Sequence, residues 1–242
     1  MTQEEKIKNY RLAYTKITNK TLPDGADEFP ILPCEISVIP DYLCLYKNVK
    51  DYNKTDKTCL CFYEYDKDFD GINGLFNAIY YDDKKLLDKY KDRFKNVWMV
   101  IEPDYSQVRD IEIIENKYRQ FKARIVGLWF LTELQIPVIP NINYADEYSF
   151  SYMLDGIRDS KTLAISLKGI MKKTVEENLL KKVIKYVVDN TKVSQIIIYS
   201  TGIKDEKINE YFSYAKKKNI KYYVTDNSLR LRNLELQKNK KQ

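Results

Sequence analysis

The chain has 242 residues, of which 44% are hydrophobic, so it suits one large globular domain or two small ones. Seven glycines and seven prolines are too few for a linker-rich chain, and no apolar run reaches the roughly 18–20 residues that cross a membrane. The formal charge is +6, but the segment 228–242 supplies five basic residues and one acid, so the rest of the chain carries only +2. Histidine is absent, which excludes Ser-His-Asp and Cys-His catalytic arrangements and histidine metal sites. The charged N-terminus lacks the apolar stretch of a signal peptide, and we expect a cytoplasmic protein.

In chain order, the sequence predicts a polar, partly helical leader over residues 1–30, a single domain over residues 31–227 and a basic tail over residues 228–242. Within the domain, β-rich runs are separated by longer segments, several of them amphipathic. The β-rich runs lie at residues 34–39, 58–65, 97–102, 137–142, 163–167, 195–200 and 221–225. The helical segments lie at residues 74–92, 110–134, 174–189 and from Asp205 onward.

The alternation of strands and helices indicates right-handed crossovers and a mainly parallel sheet. Several β-rich runs are apolar on both faces, as expected for strands that other elements cover on both sides. The sequence therefore predicts an α/β fold with a mainly parallel sheet of about six or seven strands. Hydrophobic periodicity does not distinguish an incomplete TIM-type barrel from an open doubly wound sheet, and it leaves the oligomeric state open.

Two motifs raise the question of a metal site, and neither favours one. The four cysteines lack the paired CxxC spacing of zinc ligands, and Cys59 and Cys61 alternate with apolar residues, so we expect buried thiols. Residues 66–71 match the first half of a calcium-binding EF-hand loop, but position twelve is Asn77 where a bidentate glutamate is needed. The sequence therefore predicts an acidic turn there.

Polar residues follow the strands, where the loops of a parallel α/β fold converge on a ligand. The richest group is EPDYSQVRD, residues 102–110. Asp104 could act as a general base or a Mg²⁺ ligand, and the planar guanidinium of Arg109 suits a phosphate or carboxylate. The alternative is that Asp104 or Ser106 caps the next helix and Arg109 pairs with a neighbour.

A second group is IPNINYADEYSF, residues 139–150, which again runs from a strand into a loop. Asn141 and Asp146 are its candidates for a site. The competing interpretation is that Asp146 caps a helix, because Ser149 lies three residues later. Ser166 and Tyr199, which lie at or near the ends of two later predicted strands, are further candidates.

From Val97 to Gly202 the chain resembles a family of bacterial and phage proteins known as domain of unknown function 4417. The resemblance is carried by EPDYSQVRD, NKYRQFKARIVGLW, IPVIPNINYADEYSFSYMLDGI, ISLKG and IIYSTG. Two departures are Tyr144, where the family often has tryptophan, and Glu-Asn-Lys around Asn116 in place of Trp-Asn-Thr. The resemblance implies a passenger of phages and other mobile elements, without an established chemistry. It favours a shared site formed by Asp104, Arg109, Asn116, Arg124 and Asp146.

The first functional hypothesis is an α/β domain that recognises a nucleotide or nucleic acid. Asp104 would be a base or a Mg²⁺ ligand, Arg109 and Arg124 would hold phosphate, and Asn141 with Asp146 would complete the pocket. The other expected substrate contacts are Ser106, Asn116, Ser166 and Tyr199. No GxxxxGK[ST] loop or GxGxxG fingerprint is present, so the sequence leaves open whether the protein is an enzyme and which cofactor, beyond Mg²⁺, it would use.

The second hypothesis is a non-catalytic module that binds a host protein. It rests on the 21 tyrosines, because tyrosine is enriched at protein interfaces. A weaker third hypothesis is nucleic-acid binding through the basic tail.

Overall fold

The computed structural model describes residues 13–169 and 174–239, and within them the chain forms eight α-helices and ten short strands. The helices are α1 (Thr15–Thr18), α2 (Leu75–Tyr80), α3 (Lys84–Phe94), α4 (Ile113–Glu133), α5 (Thr174–Asn190), α6 (Asp205–Tyr211), α7 (Ser213–Lys217) and α8 (Ser228–Asn239). The strands are β1 (Pro23–Asp24), β2 (Phe29–Pro30), β3 (Tyr42–Leu45), β4 (Thr58–Cys61), β5 (Met99–Ile101), β6 (Val138–Ile139), β7 (Asn141–Ile142), β8 (Thr162–Ser166), β9 (Gln195–Tyr199) and β10 (Lys221–Thr225). Of the helices in these ranges, none is both long enough and apolar enough to cross a bilayer.

Eight of the strands form two parallel four-stranded sheets, in the orders β3-β4-β5-β6 and β10-β9-β8-β7. The pair β1 and β2 forms a separate antiparallel hairpin. Strands β3, β4 and β9 are buried along their whole length, which explains why their sequences are almost entirely apolar. The predicted α/β class and the mainly parallel pairing are therefore confirmed.

Hydrogen bonds connect the two sheets at both of their edges. β6 and β7 are separated only by Pro140, whose carbonyl accepts a hydrogen bond from the Ala164 amide at 2.9 Å. At the opposite edges, Tyr42 pairs in parallel with Asp226, and the Leu43 amide donates to the Asp226 carbonyl at 2.8 Å. Within each of the two sheets, neighbouring strands are therefore also neighbours in chain order.

The apolar side chains divide into two groups. The smaller group takes one or two residues from nearly every strand of the two sheets, namely Leu43, Leu45, Cys59, Cys61, Met99, Ile101, Ile139, Ala164, Ile197 and Tyr199, together with Cys34 and Tyr63. The larger group lies between the sheets and the helices and contains the buried face of α4, including Trp129 and Phe130. All four cysteines are buried free thiols, as predicted.

Most predicted elements are present with small shifts at their ends, but the run at residues 34–39 is not a strand. It is extended chain between Pro33 and Pro40, and Ile36 and Ile39 pack against the smaller apolar group. Its backbone makes isolated contacts instead of a ladder: the Ile36 carbonyl accepts hydrogen bonds from the side chains of Thr162 and Gln195. β3, which the prediction missed, begins two residues after Pro40.

The segments on either side of residues 31–227 are packed against the domain where the structure describes them. In the leader, Phe29 is buried and its strand contacts α4. In the basic tail, residues 228–239 form α8, and the guanidinium of Arg230 is ion-paired with Asp205 at 2.9 Å. Residues 1–12 and 240–242, which belong to the same two predicted segments, lie outside the described residues, and the three-part division itself stays a prediction.

Gly156 holds the β1–β2 hairpin against the domain. Its amide donates to Asp24 at 2.7 Å, and its carbonyl accepts from the Leu32 amide at 2.8 Å. Its φ is +80°, and a Cβ at this position would lie 2.5 Å from the Pro30 carbonyl oxygen, so only glycine suits the site. The neighbouring Asp155 carbonyl is thereby placed where it contacts Arg124, as described below.

The acidic turn at residues 66–71 serves as a support for other loops. Asp66 accepts hydrogen bonds from the amide and hydroxyl of Ser106, and Asp70 forms an ion pair with Lys122 at 2.5 Å. Across residues 13–169 and 174–239, no group of three or more cysteine, aspartate or glutamate side chains is arranged to hold a metal ion.

Candidate functional site

A cavity of about 470 Å³ opens at the carboxyl ends of β5, β7 and β8. The loop after β5 contributes Asp104 and Arg109, and the loop after β7 contributes Asn143 and Tyr144. The loop after β8 contributes Lys168, and the first turns of α5 close the remaining side. Strand ends and the loops that follow them thus bring residues distant in sequence to one polar cavity, as parallel α/β folds commonly do.

Asp104 is half-buried in this cavity and is held from behind by Asn141. The Asn141 side-chain amide donates to the Asp104 carboxylate at 2.8 Å, and its oxygen accepts from the Tyr63 hydroxyl at 2.9 Å. Burial raises the pKa of Asp104 to about 7, with the nearby carboxylate of Asp66 adding to the effect and Asn141 and Lys168 opposing it. A carboxyl group with this pKa can both accept and donate a proton near neutral pH.

Behind this site, Glu102 and Arg124 form an ion pair in which both side chains are fully buried. The Arg124 guanidinium also donates to the backbone carbonyls of Asp155 at 3.1 Å and Met153 at 3.3 Å. The Glu102 carboxylate accepts a hydrogen bond from the backbone amide of Asn141 at 2.9 Å. Burial raises the pKa of Glu102, and the charge of Arg124 opposes that rise. Arg124 therefore stabilises the strand ends and does not face the cavity.

Two cations line the cavity and have no carboxylate partner among the described residues. Lys168 donates to the Tyr63 carbonyl at 2.7 Å, and the Nε of Arg109 donates to the Ala145 carbonyl at 2.9 Å. Within the described ranges neither of them lies within 4.0 Å of a carboxylate oxygen. Their remaining N–H groups are available to a bound anion.

The loop from residue 103 to 112 is fixed by contacts that face away from the cavity. Ser106 is held by Asp66, and its carbonyl accepts from Arg119 at 2.7 Å. The buried side chain of Asn116 accepts from the Val108 amide at 3.0 Å and donates to the Val108 carbonyl at 2.7 Å. Ser106 and Asn116 thus shape the loop that carries Asp104 and Arg109, and they do not line the cavity themselves.

Asp146 caps a short 3-10 helix, Glu147–Ser151. Its carboxylate accepts from the Tyr148 amide at 2.9 Å, and the Ser149 hydroxyl accepts in return from the Asp146 amide. This is the helix-capping interpretation that the sequence allowed. The residue borders a second groove, on the far side of Arg109, instead of the cavity that contains Asp104.

The last two predicted residues lie at different depths. Ser166 lines the cavity, and its hydroxyl accepts from the Lys168 amide at 3.1 Å. Tyr199 is fully buried among the strands with its ring 4.6 Å from that of Tyr63, and its hydroxyl has no hydrogen-bond partner in the part of the chain that the structure describes.

The structure thus brings Asp104, Arg109 and Ser166 to one cavity, with Asn141 in contact with Asp104. It places Asp146 in the adjoining groove, and Ser106, Asn116, Arg124 and Tyr199 away from the cavity. Sequence reasoning did not identify Lys168 or Tyr144 as lining residues. For Lys168 a signal exists, because it lies two residues after the end of β8.

Comparisons with known proteins agree with the resemblance seen in the sequence. The model of the family described as domain of unknown function (DUF4417) matches residues 24–219. The chain is similar to the Gene 1 protein of Mycobacterium phage L5, with 28% identity over 108 residues, which is 45% of this chain and 47% of that protein. It is also similar to the Gene 1 protein of Mycobacterium phage D29, with 24% identity over 124 residues, 51% of this chain and 44% of that protein.

These alignments span about half the length of the phage relatives. No solved structure matches the chain at a significant level.

Proposed function

This phage-type chain belongs to the domain of unknown function 4417 family, and we propose that it binds a phosphate-bearing ligand of the nucleotide or nucleic-acid class in the cavity of Asp104. One observation carries the proposal: Lys168 and Arg109, two cations without carboxylate partners among the described residues, line the same cavity as Asp104. Arginine and lysine donors directed at a common space are the usual means of holding phosphate.

Each residue has a separate part in the proposal. Arg109 and Lys168 hold the anionic part of the ligand. Ser166 and Asn143 also line the cavity and orient the uncharged oxygen atoms of the ligand. Asp104 exchanges a proton with the bound ligand, because its pKa of about 7 keeps both protonation states populated near neutral pH. Asn141 fixes the direction of the Asp104 carboxylate. Whether a reaction follows depends on the ligand.

We also infer that the two sheets close into one seven-stranded barrel, an incomplete TIM-type arrangement in which β6 and β7 count as one strand interrupted at Pro140. The inference is supported by the Ala164–Pro140 hydrogen bond at one junction and the Leu43–Asp226 hydrogen bond at the other. The small apolar group to which nearly every strand contributes is what the interior of such a barrel contains. Barrels of this type bind ligands at the carboxyl ends of their strands, where the cavity lies.

A thermal-shift screen tests the proposal. Nucleoside mono-, di- and triphosphates, sugar phosphates and short oligonucleotides would be added with and without Mg²⁺. A ligand at about 100 times its Kd stabilises the fold by about 2.7 kcal/mol, which shifts the Tm of a chain this long by roughly 5–11 °C.

The variants Lys168→Ala and Arg109→Ala should each weaken binding at least about tenfold, since each removes a charged hydrogen bond. Lys217→Ala is the matched control, because Lys217 is an exposed lysine on α7. A screen in which no phosphate compound raises the Tm, or a hit that survives both cavity variants, would contradict the proposal.

A second candidate function is binding to a host protein, and the exposure of Ile72 and Tyr65 favours it. Ile72 is 91% exposed and Tyr65 is 70% exposed, and both lie in the segment that follows β4. Large apolar side chains that remain in water often mark a protein interface. Wild type and Ile72→Asp would be compared in pull-downs from host lysate. If wild type and Ile72→Asp retain the same host protein in equal amounts, the exposed Ile72 side chain is not part of a protein interface.

A further inference from the structure

A second groove, of about 550 Å³, adjoins the cavity of Asp104. The two spaces share Arg109 and Leu179 as a common wall. The second groove differs in character, because Tyr148 and Val175 line it and remain 78% and 68% exposed. Large apolar side chains left in water beside a polar cavity indicate that something apolar covers them in the working state.

The tyrosine ring of this groove is presented on a rigid support. Tyr148 lies in the 3-10 helix that Asp146 caps, and the Ser151 hydroxyl donates to the Tyr148 carbonyl at 2.8 Å. The same helix is anchored to α5, because the rings of Phe150 and Tyr186 stack at 4.6 Å and the Tyr186 hydroxyl donates to the Phe150 carbonyl. Because the backbone that carries Tyr148 is held in this way, only the side-chain torsions of the tyrosine lose freedom when a ligand covers the ring.

The charges of the groove determine what kind of group it accepts. Lys182 is paired with Glu147 at 2.6 Å, and the carboxylate of Asp146 is used in capping. The cation left without a partner among the described residues of this groove is Arg109, at the wall it shares with the cavity. The groove therefore suits a neutral, flat group whose charged part extends past Arg109 into the cavity.

From this arrangement we infer that the ligand is a single nucleotide, whose base stacks on Tyr148 and whose phosphate binds Arg109 and Lys168. The inference rests on the proposed function and adds the position of the base. A nucleotide has a flat aromatic part joined to an anionic part, which matches an apolar groove joined to a cationic cavity. The two spaces fall in the size range of small-molecule sites, so one nucleotide fits them better than a strand.

Isothermal titration of adenosine monophosphate and of ribose 5-phosphate tests the inference. One base stacked on an aromatic ring should make the nucleotide bind at least about fivefold more tightly than the sugar phosphate. Tyr148→Ala should remove that preference and leave ribose 5-phosphate affinity within about twofold, whereas Tyr148→Phe should keep it. Tyr65→Ala tests the competing ring, because Tyr65 is also exposed and its ring lies 5.4 Å from the Lys168 amine; the preference for the nucleotide over the sugar phosphate should survive this change.

The outcomes separate this inference from the proposed function. Failure of both ligands to bind overturns the inference, and the proposed function is contradicted as well if no phosphate compound raises the Tm in the thermal-shift screen. Equal affinity for both ligands, or a base preference that Tyr148→Ala preserves and Tyr65→Ala removes, overturns the inference and leaves the phosphate site standing. A preference of tenfold or more for a short oligonucleotide over the mononucleotide also overturns the assignment of a single nucleotide.

Discussion

Asp104→Asn should stabilise the protein at alkaline pH. The pKa of Asp104 rises from an ordinary 3.8 to about 7 in the folded chain, chiefly because the carboxyl is buried. In the unfolded chain the pKa of this carboxyl is close to the ordinary value, at about 3.9. Between about pH 3.9 and pH 7 the folded state binds more protons than the unfolded state, so the free energy of unfolding falls as the pH rises. The stability is complete below about pH 4 and is lost as the pH rises through about 7.

The size of the effect follows from the separation of the two pKa values. Each unit of difference between the folded and unfolded pKa corresponds to about 1.36 kcal/mol. The ionised carboxylate of Asp104 therefore lowers the free energy of unfolding by up to roughly 4 kcal/mol at pH 8. Asparagine has the same shape, carries no charge, and can still accept the hydrogen bond from Asn141. We therefore expect Asp104→Asn to exceed wild type by about 1.5 kcal/mol at pH 5 and by up to roughly 4 kcal/mol at pH 8.

Urea unfolding of both proteins at pH 5, 6, 7 and 8 measures this difference. Asp88→Asn is the control, because Asp88 is an exposed carboxylate on α3, so its effect should stay within about 0.5 kcal/mol at every pH. A difference for Asp104→Asn that does not change with pH, or a loss of stability at pH 8, would refute the reasoning.

Three further predictions concern the fold. Arg124→Met leaves Glu102 buried without its partner and should cost about 3–5 kcal/mol in denaturant unfolding; a loss below about 1 kcal/mol would show that the pair is not buried. Gly156→Ala places a Cβ 2.5 Å from a backbone carbonyl at a φ of +80°, and should cost more than about 2 kcal/mol by the same assay. Tyr42→Cys combined with Asp226→Cys should form a disulfide on mild oxidation, detected by thiol counting, because paired residues on neighbouring strands lie about 4.8 Å apart. Persistence of both thiols would contradict the barrel.

Local sequence predicted most strands because burial on both faces demands apolar, often β-branched residues. β9, which is buried along its whole length, occurs where the pattern places it. The same pattern failed at residues 34–39, where Ile36 and Ile39 are apolar because they pack against the interior, although their backbone pairs with no strand. Apolar alternation reports burial, and it does not report which carbonyl and amide groups find a ladder partner.

The site was less accessible to sequence reasoning because the direction of a side chain depends on tertiary contacts. Arg109 and Arg124 look equivalent in the sequence, yet Arg124 is buried against Glu102, 22 residues earlier in the chain, and Arg109 borders the cavity. Lys168 was overlooked since a lysine after a strand is most often solvated. The predicted site residues therefore stay a prediction, which the variants of Lys168 and Arg109 address.

The pairing of Tyr42 with Asp226 has a consequence for synthesis of the chain. During translation β3 is synthesised early. The edge of β3 that pairs with Asp226 has no hydrogen-bond partner until the chain beyond β10 has been made. Throughout that interval its unpaired amide and carbonyl groups are open to other strands, the condition under which nascent chains aggregate or exchange segments. Because these distant contacts must form before the structure is complete, we expect slow folding and a dependence on chaperones. A chain truncated before Asp226 would keep that dependence, because the edge of β3 would have no partner.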